Sequence, residues 1–205
     1  MSGTMKKLDE SFYDRNDVLK IARELLGKIL VTRFDGVLTS GRIVETEAYA
    51  GEGDRACHAF GGRRTARTEA VYGPPGTIYI YICYGLHYLF NVVTNKKDIP
   101  HVVLIRALEP VKGIPVMLER TGKETPDYSL TRGPGNVSRA LGMNKSHSGR
   151  NLLSGEIYIA DDGFKYKKDQ ILVTKRIGVE SAREDAERLY RFIVKGSPYV
   201  SAKKS

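Results

Sequence analysis

Two glutamates and a tyrosine alternate within the apolar stretch Ile43–Tyr49, and they are the first candidates for chemistry in this sequence. Side chains alternate along a β-strand, so Glu45, Glu47 and Tyr49 would share one face. One interpretation is an exposed polar face, since glutamate is rarely buried. The other is a carboxylate beside an aromatic wall, which is what a water-activating base needs. The neighbouring tyrosine and the glycine-rich stretch that follows favour the base.

The run Thr77–Cys83 is the second candidate, because its tyrosines alternate with isoleucines. Tyr79 and Tyr81 would face one side of a strand, either as ordinary sheet residues or as part of a ligand site. Tyr84 differs, since it precedes a glycine at the expected tip of a hairpin. A large ring at such a tip can enter between the base steps of a nucleic acid.

Asn91 and Arg106 are polar residues inside otherwise apolar strand patterns. Each is either a core polar group with its hydrogen bonds satisfied or a side chain that contacts a bound ligand. The stretch Gly51–Pro75 is long, rich in glycine and carries the basic run Arg63–Arg67. Irregular segments of this length in a compact domain are usually functional.

The charge balance favours a polyanionic partner. The chain has 33 Lys+Arg against 24 Asp+Glu, a formal charge of +9, and such a surplus binds phosphates by releasing counterions. Cys57 and Cys83 are too few for a disulfide framework, which favours a reducing compartment: the cytoplasm, nucleoid-associated in a bacterium, or the nucleus in a eukaryote. Scattered histidines and the lack of CxxC or HExxH motifs favour no metal. No apolar stretch indicates a membrane segment or a secretion signal.

These patterns predict an α+β fold, one domain with a curved, largely antiparallel β-sheet and surrounding helices. Residues 11–201 would form this domain, between a loose N-terminal segment (1–10) and a loose tail (202–205). Capping and periodicity predict helices over about 16–26, 110–122, 134–142 and 181–191. Strands are predicted over 28–34, 37–39, 43–49, 77–84, 88–94 and 102–108.

Taken together, these motifs resemble the alkyladenine (3-methyladenine) DNA glycosylase family. The resemblance runs in order from about residue 11 to 201. It rests on Ile43–Tyr49, His58 before Gly61-Gly62-Arg63, Pro75–Tyr81, Tyr84-Gly85, Asn91, Arg106–Pro110, Gly133-Pro134, Asn144–Ser146 and Gly196–Ser201.

The resemblance implies a monofunctional glycosylase that uses water as its nucleophile and needs no cofactor or metal. Glu47 matches the general base and Arg106 a residue that helps hold the water. The substrate would be double-stranded DNA that contains a damaged purine: 3-methyladenine, 7-methylguanine, hypoxanthine or ethenoadenine. We expect the protein to act as a monomer.

The resemblance also assigns the base pocket. Tyr49 matches one wall, and His58 and Tyr81 match the opposite wall, so that a flipped purine would lie between rings. Asn91 matches the side chain that crowds the exocyclic amino group of guanine. Tyr84 matches the residue that fills the gap left in the duplex.

The basic run beside the pocket motifs is expected to contact DNA phosphates, because such contacts fix the position of a protein on the duplex. The residues concerned are Arg63, Arg64, Thr65 and Arg67.

Two other functions remain open at this stage. A carbohydrate hydrolase would use Glu45 and Glu47 as its carboxylate pair, although the chain has no tryptophan for stacking on sugars. An RNA-binding module would use Tyr79, Tyr81 and Tyr84 as stacking platforms, but it would give Glu47 no role.

Overall fold

In the part of the chain that the structure describes, residues 5–201 of a computed structural model, nine strands form one antiparallel sheet. The expected tail at 202–205 lies outside the described residues. The strands are β1 (Lys6–Lys7), β2 (Ile29–Phe34), β3 (Val37–Ala50), β4 (Ile78–Cys83), β5 (His87–Thr94), β6 (His101–Lys112), β7 (Ile157–Asp161), β8 (Ile171–Thr174) and β9 (Arg191–Val194).

The sheet order is β1-β7-β2-β3-β6-β5-β4, and β9 joins it by pairing with β3 and β8. The first half of β3 pairs with β2 around the turn at Asp35 and Gly36, both of which have positive φ. The second half, at Glu45–Glu47, pairs with β9. β6 follows the other side of β3, with register shifts on both sides of Glu45. The segment that carries both glutamates therefore lies inside the sheet, between two strands.

Between residues 5 and 201, four short α-helices complete the fold: α1 (Glu10–Tyr13), α2 (Val18–Glu24), α3 (Ile114–Thr121) and α4 (Pro134–Ala140). The Asp17 side chain caps α2 by accepting a hydrogen bond from the Lys20 amide at 2.9 Å, as expected for a short polar residue before a helix. The long segment after β3 contains only 3-10 turns, at Gly51–Gly53, Phe60–Gly62 and Glu69–Tyr72. This confirms its irregular character.

Alternation along the strands divides the apolar residues into two clusters. The larger cluster packs the sheet against the helices and includes Ile78 and Ile80. The smaller lies under the 51–75 segment and includes Tyr79 and Val93. Because successive side chains point to opposite faces of a strand, β4 contributes isoleucines to one cluster and a tyrosine to the other. The α+β fold with a large antiparallel sheet is thus confirmed.

Two predicted helices differ from the structure. The helix predicted over 110–122 begins only at Ile114, because β6 continues to Lys112. The helix predicted over 181–191 is a 3-10 segment, Glu180–Glu187, interrupted at Arg183 with φ +54°, and Arg191 already belongs to β9. The capping box fails because Glu184 pairs with Arg55 at 3.0 Å instead of closing a helix turn.

Within the N-terminal segment that was predicted to be loose, Lys6–Lys7 pair with β7, and residues 1–4 lie outside the described residues. Main-chain hydrogen bonds hold the chain there, and they need no apolar side chains.

Candidate active site

A cavity of about 680 Å³ opens between the 51–75 segment, the β4–β5 hairpin, the start of α4 and the segment 177–180. Its volume lies within the range of about 300–1,000 Å³ that is usual for small-molecule sites. Six residues selected from the sequence line it: Tyr49, His58, Tyr81, Tyr84, Asn91 and Arg106.

Glu47 lies immediately behind the wall of this cavity and is closed to solvent, with 0% exposure. Its Oε2 accepts hydrogen bonds from the Tyr49 hydroxyl at 2.8 Å and from Arg106 Nη1 at 3.3 Å. Its Oε1 accepts one from the Ile177 amide at 2.8 Å. All three donor residues line the cavity, so the carboxylate is one contact away from anything bound there.

Glu45 is also buried, but its four donors belong to the sheet and the C-terminal segment. They are Arg106 Nε, Arg191 Nε and both the amide and the hydroxyl of Ser201, at 2.7–3.0 Å. Glu45 does not line the cavity. This disfavours the carbohydrate-hydrolase interpretation, which needs both carboxylates to reach a substrate.

Arg106 connects the two glutamates, because its Nε binds Glu45 and its Nη1 binds Glu47. Burial lowers the pKa of this guanidinium, but the carboxylates of Glu47 and Glu45 more than offset that effect and raise it. Arg106 therefore stays cationic and keeps positive charge at the cavity wall.

Aromatic rings form much of the cavity lining. The His58 and Tyr81 rings meet edge to face with centroids 4.5 Å apart, and His58 Nδ1 lies 2.8 Å from the Tyr79 hydroxyl. Burial, reinforced by the positive charges of Arg67 and Arg63, lowers the pKa of His58 to about 4. The imidazole is thus neutral at pH 7. Burial of the Tyr79 ring with its hydroxyl against His58 also disfavours a single-strand stacking platform on this face.

Asn91 is fixed in place at the cavity wall. Its side-chain nitrogen donates to the carbonyls of Tyr79 at 3.2 Å and Leu89 at 3.0 Å. Both amide hydrogens are therefore bound to main chain, and the side chain is not free to swing away from a bulky ligand.

Tyr84 projects from the tip of the β4–β5 hairpin at the cavity mouth, with 89% of its side chain exposed. The hairpin closes through the Cys83–His87 pair and a hydrogen bond from the Leu86 amide to the Cys83 carbonyl at 3.1 Å. Tyr84 has φ +51°, a conformation that is strained for a bulky side chain. Leu86, at 79% exposure, extends from the same tip.

The basic residues of the 51–75 segment lie outside the cavity lining. Arg64 forms ion pairs with Glu69 at 2.6 Å and Asp98 at 2.8 Å. Arg67 lies 5.7 Å from the centroid of the Tyr81 ring. Arg63 and Thr65 are exposed on the same segment. The contact of these four residues with DNA phosphates stays a prediction.

Several residues of the site have no signal in the sequence. Ile177 contributes only its main-chain amide, which any residue except proline supplies. The pair Asp54–Arg176 spans 122 positions of sequence. The start of α4 reaches the cavity because Gly135 packs against His87, where a Cβ would come within 2.9 Å of the ring.

No group of three or more His, Cys, Asp or Glu side chains within residues 5–201 is arranged to hold a metal ion. Over the same residues, no helix combines the length and apolarity needed to cross a membrane.

By its fold and its cavity, the chain is an α+β protein in which an aromatic-lined cavity lies against a buried, hydrogen-bonded carboxylate. Residues 11–198 match the family described as Methylpurine-DNA glycosylase (MPG), and the chain belongs to this family.

Relatives from three bacteria bear the name "Putative 3-methyladenine DNA glycosylase". The protein of Desulfitobacterium hafniense is 44% identical, over 97% of this chain and 100% of its own. That of Clostridium perfringens is 42% identical, over 96% and 100%. That of Chlamydia felis is 45% identical, over 91% and 95%.

Proposed function

We propose that this protein is a monofunctional DNA glycosylase that removes damaged purines from double-stranded DNA. The observation that carries the proposal is the Glu47 carboxylate, held by three donors that themselves line an aromatic cavity. A purine in a duplex has its glycosidic bond out of reach, so the nucleotide must rotate out of the stack to enter such a cavity.

The exposed hairpin tip supports this extrusion. Tyr84 lies beside the cavity mouth, where its ring fills the space that the extruded nucleotide leaves in the duplex. The positive charges of Arg63 and Arg67 lie near the same cavity, close enough to lower the pKa of His58. They would bind the phosphates on either side of the lesion, and Arg64 and Thr65 would contribute from the same segment.

The cavity would hold the extruded base between Tyr49 on one side and His58 with Tyr81 on the other. An alkylated purine such as 3-methyladenine or 7-methylguanine is cationic, and aromatic faces attract cations. The neutral imidazole of His58 adds no opposing charge. The fixed Asn91 side chain would crowd the exocyclic amino group of guanine and so protect the undamaged base.

In the hydrolysis, a water oxygen would bond to C1′ of the sugar while the C1′–N bond breaks and its electron pair leaves with the purine. Glu47 would accept the proton of the water, and its charge would stabilise the positive charge that develops on the sugar. Arg106 would help to hold the water. A cationic purine leaves as a neutral base, whereas hypoxanthine or ethenoadenine would also need a proton from a donor.

Base release from duplex oligonucleotides with a single hypoxanthine, ethenoadenine or 7-methylguanine tests the proposal. The reactions contain EDTA and compare the wild type with Glu47→Gln and with Glu109→Gln, an exposed control on β6. We expect release by the wild type and the control, with the abasic site uncut until alkali is added. Strand cleavage without alkali, or full activity of Glu47→Gln, would contradict the proposal. Sedimentation of the protein with and without the duplex would test the expected monomer.

A further inference from the structure

A buried ion pair lies behind the aromatic wall of the cavity. Arg176 makes two hydrogen bonds to Asp54, Nη1 to Oδ2 at 2.5 Å and Nη2 to Oδ1 at 2.8 Å, and both side chains are closed to solvent. Apolar residues in place of such a pair are often as stable or more so, because charges lose their hydration on burial. Stability alone therefore does not explain the pair.

The guanidinium of Arg176 lies over the ring of Tyr49, 4.7 Å from its centroid. Tyr49 lines the cavity, whereas Arg176 does not. The ring thus contacts a buried cation and also forms part of the cavity wall.

The same segment also fixes the strand and the carboxylate. Arg176 Nη1 donates to the carbonyl of Ala48 at 3.0 Å, the residue between Glu47 and Tyr49 on β3. The next amide along the chain, that of Ile177, donates to Glu47 Oε1. One dipeptide therefore contacts both the aromatic wall and the carboxylate.

We propose that Arg176, held by Asp54, is a positioning residue that aligns Tyr49 with Glu47 and also sets the balance between cationic and neutral damaged bases. The inference rests on the proposed glycosylase function. Two cations in contact with one ring repel each other, so the guanidinium weakens the attraction of Tyr49 for an alkylated, cationic purine. It leaves the stacking of a neutral purine unaffected and so widens the range of substrates.

Arg176→Gln and Arg176→Lys separate the two roles. Single-turnover rates are measured with the enzyme well below saturation, so that they include the binding of the base. The substrates are hypoxanthine, which is neutral, and 7-methylguanine, which is cationic. In Arg176→Gln the hypoxanthine rate should fall about 100-fold, as expected when reacting groups are displaced by about 1 Å. The 7-methylguanine rate should fall less, so that the ratio of the two rates shifts roughly 3- to 10-fold towards the cationic base. Arg176→Lys retains the charge and should restore the ratio without restoring the rates.

Arg42→Gln is the matched control. Arg42 also lies over an aromatic ring, 4.4 Å from the centroid of Phe164, and pairs with Asp162 at 2.7 Å, but it does not line the cavity. Its rates and their ratio should stay within twofold of the wild type. Arg176→Gln protein that folds and retains wild-type rates on both substrates overturns the proposal, as does an equal loss in the control.

Two further measurements, the rate of a second variant and a double-mutant cycle, test the proposal if Arg176→Gln does not fold. If Arg176→Gln does not fold, the second variant is Asp54→Asn, which keeps the guanidinium of Arg176 but removes the carboxylate that holds it. The hypoxanthine rate of this variant should fall at least tenfold. An unchanged rate overturns the proposal. Urea unfolding of Arg176→Met, Tyr49→Leu and the double variant measures the Arg176–Tyr49 contact without any activity, because each single variant removes the contact. If the two single variants change the free energy of unfolding additively, the Arg176–Tyr49 contact is overturned. If the wild type releases no base, the glycosylase function is overturned instead.

Discussion

Glu45 and Glu47 lie two positions apart on β3, both are closed to solvent, and both bind Arg106. Their other partners differ. Glu45 is bound by Arg191 and Ser201, which do not line the cavity, whereas Glu47 is bound by Tyr49 and Ile177, which do. Burial and charge alone therefore do not separate the two carboxylates. What distinguishes the two glutamates is that, within residues 5–201, every donor to Glu47 lines the cavity, whereas Arg106 is the one donor to Glu45 that does so.

The largest effect should come from Glu47→Gln, which keeps the shape of the side chain but removes the base. Loss of a positioned base typically costs about 10²- to 10⁴-fold in rate. We expect a loss of this size in the single-turnover rate on hypoxanthine, with binding to a duplex that contains a stable abasic analogue kept within twofold. A residual rate within tenfold of the wild type would remove Glu47 from its proposed role.

Glu45→Gln should instead act on stability. It leaves the guanidinium of Arg191 buried without its carboxylate, and breaking a buried ion pair costs about 3–5 kcal/mol. Urea unfolding should show this loss, and the rate of the folded fraction should stay within tenfold of the wild type. If Glu45→Gln were as inactive as Glu47→Gln while fully folded, the distinction between the two carboxylates would fail.

Ser201→Ala is a finer test on the Glu45 side, because it removes the hydroxyl but keeps the main-chain amide that binds Glu45. A hydrogen bond to a charged group contributes about 1.5–3 kcal/mol. The free energy of unfolding should fall by about that amount, and base release at 25 °C should not change. A selective loss of activity would place Ser201 with the Glu47 group.

The smallest effect concerns His58, a titratable side chain of the cavity lining. Its pKa is about 4, against an ordinary value of 6.5, so the folded state disfavours the proton. Between these two values the unfolded chain binds more protons, and stability is therefore lost as the pH falls from 6.5 towards 4. Urea midpoints at pH 7 and pH 5 should fall more for the wild type than for His58→Gln. Nuclear magnetic resonance titration of the His58 ring near pH 6.5 would contradict this.

Local patterns predicted much of the cavity. Alternation placed Glu47 and Tyr49 on one face of β3, and the glycine after Tyr84 indicated the hairpin tip. The structure brings six of the predicted residues to one cavity, although their roles stay predictions. The family resemblance, rather than periodicity, singled out Glu47 over Glu45.

What the sequence could not predict depends on distant partners. The capping box at Ser181–Glu184 is locally valid, but Arg55 and Arg176 bind this segment from elsewhere in the fold. The β9 strand pairs with β3 across most of the chain, and its four residues are too short for a clear alternation. Such pairings are set by the assembled sheet rather than by local preference.

The hydrogen bonds between Ser201 and Glu45 join two residues that are synthesised far apart in time. Ser201 is 156 positions beyond Glu45, so the ribosome completes β3 long before it adds the residue that satisfies this carboxylate. A nascent chain that stops short of Ser201 would bury Glu45 without two of its four donors. Such a chain would keep the ion pairs of Glu45 with Arg106 and Arg191 but lose both hydrogen bonds from Ser201, and we expect it to unfold at a lower urea concentration than a chain that includes Ser201.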